Sequence, residues 1–420
     1  MTSVAVIGAG AAGLVAAIFA ASQGADVLLV ERTPDGGRKI LISGGGRCNV
    51  LPSVLAPERF VTDSPPHLMR GMLKAWPLHE QRAFFENDLN IPLALEKESG
   101  KLFPASNRAR DIRDGLVTLA RARGVRMQFA TSVNELEPIV DGWSLRTTAG
   151  DFSASAVVLA TGGLSVPTSG SDGTGLRIAG GLGHRMIETY PALTPLLGSD
   201  ASGHAALSGV SLDVRLRGKT ASRVVEAQGG FLFTHRGYSG PSVLDISHLV
   251  TRRADLASGF LGAEASAKAA SRTIRAQWSA LDPAAWDREF EAPSALIATV
   301  LARHVPSRLG ERLMIEAGVP SERRTSNLRR TERLSLIGRL TSYVLPWTGD
   351  EGYKKAEVTG GGVALDEVDP RTLESKRCPR LYLCGEILDV FGPIGGHNFA
   401  WAWSTGRAAG MAAGRLKAEG

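Results

Sequence analysis

Residues 4–31, VAVIGAGAAGLVAAIFAASQGADVLLVE, decide the fold. Residues 4–7 form a short apolar run of strand type, and Gly8-Ala9-Gly10-Ala11-Ala12-Gly13 follows at once. Residues 14–22 read as an alanine-rich helix and residues 26–30 as a second buried strand, which Glu31 ends. Strand, glycine turn, helix, strand and acid in this order are what a dinucleotide fold requires. Gly8 permits the tight turn, Gly10 lets a pyrophosphate approach the backbone, and Gly13 lets the helix lie close to the sheet. The helix start offers unpaired N–H groups and the positive end of a dipole to the phosphates. Glu31 is placed to accept hydrogen bonds from an adenosine ribose. A carboxylate there repels a 2′-phosphate, so FAD or NAD is favoured over NADP.

Further blocks follow. Gly36-Gly37-Arg38-Lys39 leads into Ser43-Gly44-Gly45-Gly46-Arg47-Cys48-Asn49. Later come Ala160-Thr161-Gly162-Gly163, Phe233-Thr234-His235 with Ser239-Gly240-Pro241, and Val358-Thr359-Gly360-Gly361-Gly362. Cys384-Gly385-Glu386-Ile387-Leu388-Asp389 and Gly395-Gly396-His397-Asn398 complete the set. In these blocks, and in their order, the chain resembles the BaiN-like family of NAD(P)/FAD-dependent flavoprotein oxidoreductases, which includes aminoacetone-oxidase-like enzymes. The resemblance implies FAD as cofactor, with contacts from the glycine turn, Glu31, Arg32, Arg38, Lys39 and the block from Ser43 to Asn49. It implies that Ser132 and Val133 meet the adenine and that Glu386 holds the ribityl chain. It also brings Ala160, Thr161, Gly162, Gly163, Gly385, Gly395, Gly396, His397 and Asn398 to the cofactor. Two departures bear on substrate identity. Val50-Leu51-Pro52 stands where the family runs Val-Thr-Asn, and His397 stands where it often has Tyr.

At 420 residues the chain is long enough for two or three domains. Its 43% hydrophobic and 21% charged residues suit a soluble globular protein. Cys48, Cys378 and Cys384 form no CxxC pair and no metal spacing, so no metal is assigned. An odd thiol count suits a reducing cytoplasm, and the missing cysteine pair argues against the dithiol class of flavoprotein reductases. Residues 4–21 are apolar and uncharged, but no Lys or Arg precedes them and glycines interrupt them. They read as buried strand and helix rather than a targeting segment, and no other stretch approaches a membrane span. The net charge is +6. Nine arginines between Arg303 and Arg339 face only Glu311, Glu316, Glu322 and Glu332. That region is either a solvated helical face with ion pairs or a site for an anionic substrate or RNA.

Along the chain, residues 67–76, 78–90 and 107–123 read as helices, and 93–103 as a hairpin. Residues 125–129, 133–139, 143–148 and 152–159 read as strands, and 172–181 as a helix. From Tyr190, short apolar runs between turns suggest a β subdomain, and Pro241 can open a helix. Residues 267–342 look mainly helical, with Pro283, Pro293, Pro306 and Pro320 as punctuation. Residues 381–384 form a buried strand, and a last helix runs from Asn398 to about Lys417. The expected fold is α/β: a Rossmann-type FAD-binding domain of the two-dinucleotide type with an inserted β-plus-helical domain. Residues 1–190 and 346–420 make the first and 191–345 the second, which closes over the flavin.

Flavin carries the redox chemistry, so few side chains need be catalytic. The candidates are His397, His235 and Cys48. Cys48 is either an activated thiol beside Arg47 or a small packing residue, and His235 either faces the substrate or is structural. Asn398 is a cap residue by type, and His397 can tune the flavin as a hydrogen-bond donor or, when protonated, as a charge. The expected activity is FAD-dependent oxidation or reduction of a small organic molecule. The flavin's partner is either NAD(P)H as a transient reductant or O₂ as oxidant; no second strand–GxGxxG–helix unit is encoded, so a pyridine nucleotide, if used, binds weakly. A flavin-dependent RNA-modifying enzyme and a non-catalytic FAD-binding protein are the alternatives.

Overall fold

The computed structural model describes residues 2–220, 224–252, 273–291 and 294–415. They form two compact units, Met1–Pro191 with Glu357–Gly420, and Ala192–Ala356. Each has its own core of buried apolar side chains. The second boundary lies eleven residues beyond the expected 345/346, because Trp347–Asp350 is an edge strand of the inserted unit, paired with Leu196–Gly198.

The first unit is built on β1 (Thr2–Ile7), α1 (Ala11–Ala21) and β2 (Val27–Val30). β2 is buried at all four positions, as a parallel strand covered on both faces must be. β1 lies between β2 and Phe152–Leu159, parallel to both. Arg126–Gln128 extends the parallel sheet beyond β2, and Leu381–Leu383 extends it beside the upper half of Phe152–Leu159. The lower half of that strand instead joins an antiparallel meander of Val133–Ile139 and Gly142–Thr147. Two stretches far apart in sequence thus share one sheet.

The terminal helix His397–Gly414 packs on α1. The contact is backbone-close. A Cβ on Gly406, Gly410 or Gly414 would stand 2.4, 2.2 or 2.6 Å from the carbonyl oxygens of Ala12, Ala16 and Ala20. Glycine every fourth residue faces alanine every fourth residue, so the helices run parallel along one stripe.

The inserted unit is a seven-stranded antiparallel sheet in the order Tyr343–Val344, Arg275–Gln277, Ser211–Lys219, Val224–Phe233, Gly237–Ser239, Leu196–Gly198 and Trp347–Asp350. Val214, Leu216, Phe231 and Trp278 bury one face of it with the helices. Pro241 opens the helix Pro241–Ile246 at its first turn.

Several boundaries differ from the sequence reading. α1 begins at Ala11, three residues early. The helix expected over 78–90 is α-helical only over Leu78–Ala83 and ends in a π turn, Phe84–Asp88. The region 267–342 contains a strand, Arg275–Gln277, because Ala276 pairs with Leu216 on one side and Tyr343 on the other. Residues 267–272, Pro293 and the expected helix end at Lys417 lie outside the described residues. Among the described residues no helix is long and apolar enough to cross a membrane.

The glycine stripe gives a direct test. Gly410→Ala is expected to destabilise the protein by about 1–3 kcal/mol, as overpacking does. Gly71→Ala, at an exposed helical position where a Cβ meets nothing within 4 Å, is expected to be neutral or stabilising by up to ~1 kcal/mol. Thermal unfolding of both variants checks this; equal shifts would remove the helix contact as the cause.

Candidate functional site

The carboxyl ends of the parallel strands open onto a cavity of about 550 Å³ whose lining, among the described residues, comes from the first unit. Open α/β sheets bind ligands at this edge. A Cβ on Gly13 would lie 1.8 Å from the Gly8 carbonyl oxygen, so the turn folds back on itself. A Cβ on Gly8 would lie 2.6 Å from the Ala160 oxygen, so the second glycine block rests on the first. Gly10 faces nothing within 4 Å, and its surface opens into the cavity.

The polar groups on the wall are held by one another. Glu31 is buried. Its Oε2 accepts from Ala9 N at 2.7 Å, and its Oε1 accepts from Thr33 N at 2.7 Å and Thr33 Oγ1 at 2.6 Å. The carboxylate therefore pins the glycine turn to the end of β2, and Oε2 keeps a lone pair for a ligand. Arg32 is ion-paired with Asp172. Lys39, on α2 (Arg38–Ile42), donates to Glu386 Oε2 at 2.7 Å and to Ser165 Oγ at 2.6 Å. Glu386 Oε1 accepts from Ser165 Oγ at 2.6 Å and Thr359 N at 3.0 Å. Thr359 Oγ1 in turn accepts from Leu164 N at 2.7 Å and Ser165 N at 3.1 Å. Asn49 Oδ1 is buried on this wall with no hydrogen-bond partner among the described residues.

The other end of the chain forms the opposite wall. Gly396, at φ +92°, is the N-cap of the terminal helix. A Cβ there would stand 2.6 Å from the Leu51 carbonyl carbon. Asn398 does not cap the helix, contrary to the residue-type expectation. Its Oδ1 accepts from Gly392 N at 2.8 Å and its Nδ2 donates to Gly392 O at 2.9 Å, which staples the turn. Trp401 Nε1 donates to Gly385 O at 3.1 Å, and Gly385 N donates to Thr405 Oγ1 at 3.0 Å.

Of the residues singled out from sequence, the cavity brings together Gly8, Gly10, Ala11, Ala12, Glu31, Arg32, Arg38, Lys39, Ser43, Gly44, Gly45, Asn49 and Val133. Ala160, Thr161, Gly162, Gly385, Glu386, Gly395, Gly396 and Asn398 join them. Gly13, Gly46, Arg47, Cys48, Gly163 and His397 do not line it. Arg47 instead stacks 4.0 Å over the Phe103 ring and pairs with Glu96 at 2.9 Å. Burial pushes the Cys48 thiol up to about 12, against a hydrogen bond from Ser43, and the side chain is fully buried, which favours the packing reading over the activated thiol. His397 is buried edge-on to Phe60, 5.9 Å between ring centres. Burial first, and then the charge of Arg59, lower its pKa to about 4, outweighing the carbonyls of Ile394 and Val54 and the charge of Glu58. The lowered pKa favours the neutral ring near pH 7 and so the hydrogen-bonding alternative over the charged one there. His235 belongs to the inserted unit and is exposed. The sequence reading missed Ser165, Val166, Ser169, Asp172 and Trp401 on or behind the wall. The run Thr168-Ser169-Gly170-Ser171-Asp172-Gly173 was the available signal, since its small polar residues come soon after the glycine block Gly162-Gly163.

Residues 2–412 match the family described as HI0933-like protein Rossmann domain. The chain is 33% identical over 407 residues to the ribosomal RNA dihydrouridine synthase of Escherichia coli, covering 95% of each chain. It is 30% identical over 416 residues to the protein of the same name from Haemophilus influenzae, covering 98% of each. It is also 31% identical over 425 residues to the 3-dehydro-bile acid delta(4,6)-reductase of Clostridium scindens, covering 98% of this chain and 99% of that one. These matches leave neither unit outside them, and the chain belongs to the HI0933-like family of Rossmann-type flavoprotein oxidoreductases.

Proposed function

We propose that FAD occupies the cavity and that the protein is a reductase adding hydrogen across a polarised ring C=C bond. The observation that carries this is the cavity itself, where two helix N-termini, the open face of Gly10 and the orphaned Asn49 acceptor converge. Bound FAD supplies the hydride chemistry, and the protein holds it. The first-turn N–H groups of α1 would take the pyrophosphate, Glu31 Oε2 the ribose, and the Ser132–Val133 edge the adenine. Lys39 and Glu386 hold each other ready for the ribityl hydroxyls. The Gly396 end of the terminal helix favours negative charge at the ring it faces. NADH or NADPH would serve as a visiting reductant.

The names of the relatives describe the same chemistry, saturation of a ring double bond next to a carbonyl, on two substrate classes. Uracil in RNA is the class favoured here. The FAD unit carries 26 basic and 26 acidic residues and the insert 22 and 16, so the whole excess of +6 lies in the insert. A small conjugated carbonyl compound is the second reading, supported by the relation to the bile acid reductase.

The purified protein should be yellow and release FAD on heating. Its flavin should be reduced anaerobically by NADH or NADPH and reoxidised by ribosomal RNA lacking dihydrouridine, with dihydrouridine appearing in the digest. Reoxidation by a steroidal enone and not by RNA would favour the second reading. Reoxidation by O₂ alone would overturn both.

His397 provides a further check. Its folded pKa of about 4 lies below the unfolded value near ~6.5. The unfolded chain therefore binds the extra proton first. The stabilising contribution is complete above the unfolded value and is lost as pH falls through about 4. His397→Phe should remove that acid-side slope of stability, while the flavin midpoint potential keeps its wild-type pH dependence between about pH 6 and 8. A potential that departs from wild type in that window would mean that the ring is charged beside the flavin.

A further inference from the structure

Among the described residues, one face of the insert's sheet carries a row of cations. Burial alternates along Ser211–Lys219: Val214 and Leu216 are core, while Arg215, Arg217 and Lys219 lie on the opposite face. On the next strand Ala276 is core and Arg275 stands directly across from Arg217. Arg217 pairs with Glu226 at 2.6 Å, and its side chain is still 54% exposed. Arg275 donates to the Ser342 carbonyl at 3.2 Å. The face thus holds four cations against Asp213 and Glu226. Like charges directly opposite on a sheet oppose folding, so their juxtaposition calls for another cause.

The spacing suggests one. Alternate residues of a strand lie ~6.7 Å apart, close to the separation of successive phosphates along an RNA strand. The arginine-rich helical segment offers no such row. There Arg303 pairs with Glu289, Arg312 and Arg339 with Glu316, Arg323 with Glu332, and Arg333 with Asp287. Those ion pairs favour the solvated-face reading of that segment, and they leave the sheet face as the better anion surface.

We propose that this sheet face docks the sugar–phosphate backbone of RNA, with Arg215, Arg217, Lys219 and Arg275 as the phosphate contacts. The proposal rests on the RNA reading of the substrate and deepens it. Such contacts position a strand without reading its sequence.

The test uses the FAD-loaded protein and a fluorescently labelled single-stranded RNA, titrated from about 50 to about 200 mM salt. Wild type should bind with an affinity that falls steeply as salt rises. Arg215→Gln/Arg217→Gln/Arg275→Gln should bind about tenfold or more weakly at low salt, with a log–log salt slope shallower by about 2, since each lost phosphate contact removes ~0.7. It should keep its FAD and its thermal midpoint, because all three side chains lie on the sheet face away from the core. Lys219→Gln alone should reduce the slope by about a third of that amount. Arg329→Gln/Arg330→Gln, at exposed positions of the helical segment, should bind like wild type. If the triple variant keeps wild-type affinity and slope while wild type binds RNA, the docking face is wrong and the RNA reading stands. If loss appears only in the Arg329/Arg330 variant, the surface is the helical one and this proposal fails. If wild type binds no RNA even at low salt, the RNA reading and the docking face fall together.

Discussion

The glycine stripe between α1 and the terminal helix is the constraint on which the site depends. Ala12 is the second residue of α1 and lies against Gly406, the tenth of the terminal helix. The helices are therefore staggered by eight residues, about 12 Å at 1.5 Å per residue. Both N-termini reach the same cavity, so two positive helix ends are held about 12 Å apart along one direction. Under the proposed reading, an elongated ligand with a phosphate group in its middle and an electron-accepting ring at its end would meet one helix terminus at each. Larger residues in the stripe would separate the helices and displace one end from the other. Backbone contact fixes this length more rigidly than side-chain packing would, because no rotamer can absorb a shift.

Charge within the cavity follows from the same convergence. Lys39 and Glu386 are 347 positions apart and form one ion pair on the wall, 24% and 19% exposed. Partly buried charges persist when they are paired and their remaining lone pairs are filled. Ser165 and the Thr359 backbone fill those of Glu386, and Thr359 Oγ1 fixes the Leu164–Ser165 backbone behind them. Four segments are thereby tied together at one point: α2, the turn after Phe152–Leu159, the strand Val358–Val363 and the Gly385 turn. Removing either charge would leave the other uncompensated, so the site is assembled as a unit or not at all.

The start of the fold was legible because its requirements are local. Gly8, Gly10 and Gly13 each answer a need of the turn they occupy, and the pattern around them is strand and helix by period alone. The terminal glycines had equally regular spacing, but nothing in that spacing names α1 as the partner 394 positions away. Glu386 could be placed near the cofactor by resemblance, whereas Lys39 as its counter-ion could not, since pairing across the chain leaves no periodic trace. Trp347–Asp350 was assigned to the wrong unit for a similar reason. A four-residue edge strand with no buried member shows no alternation to read. The two readings of Cys48 could not be separated from its neighbours, because Arg47 adjoins it in sequence but turns onto Phe103 in space.

The two units also differ in how acid acts on them. In the first, His397 is buried neutral, so its contribution to stability weakens from the ordinary histidine range down to about pH 4. In the insert, burial opposes the charge on Glu316, yet hydrogen bonds from His204, Arg312 and Tyr343 outweigh it and hold the pKa at about 2. That contribution is present above the ordinary glutamate value and is lost only as pH falls through about 2. His204 also bonds both Tyr238 at 2.8 Å and Tyr343 at 3.0 Å, so one buried imidazole links a short helix, two strands and, through Glu316, the helix Ser307–Ala317. The two imidazoles keep different company: His204 lies 3.5 Å from the Glu316 carboxylate, whereas His397 stands edge-on to the Phe60 ring, so a buried histidine is tied into a polar network in one unit and into apolar packing in the other.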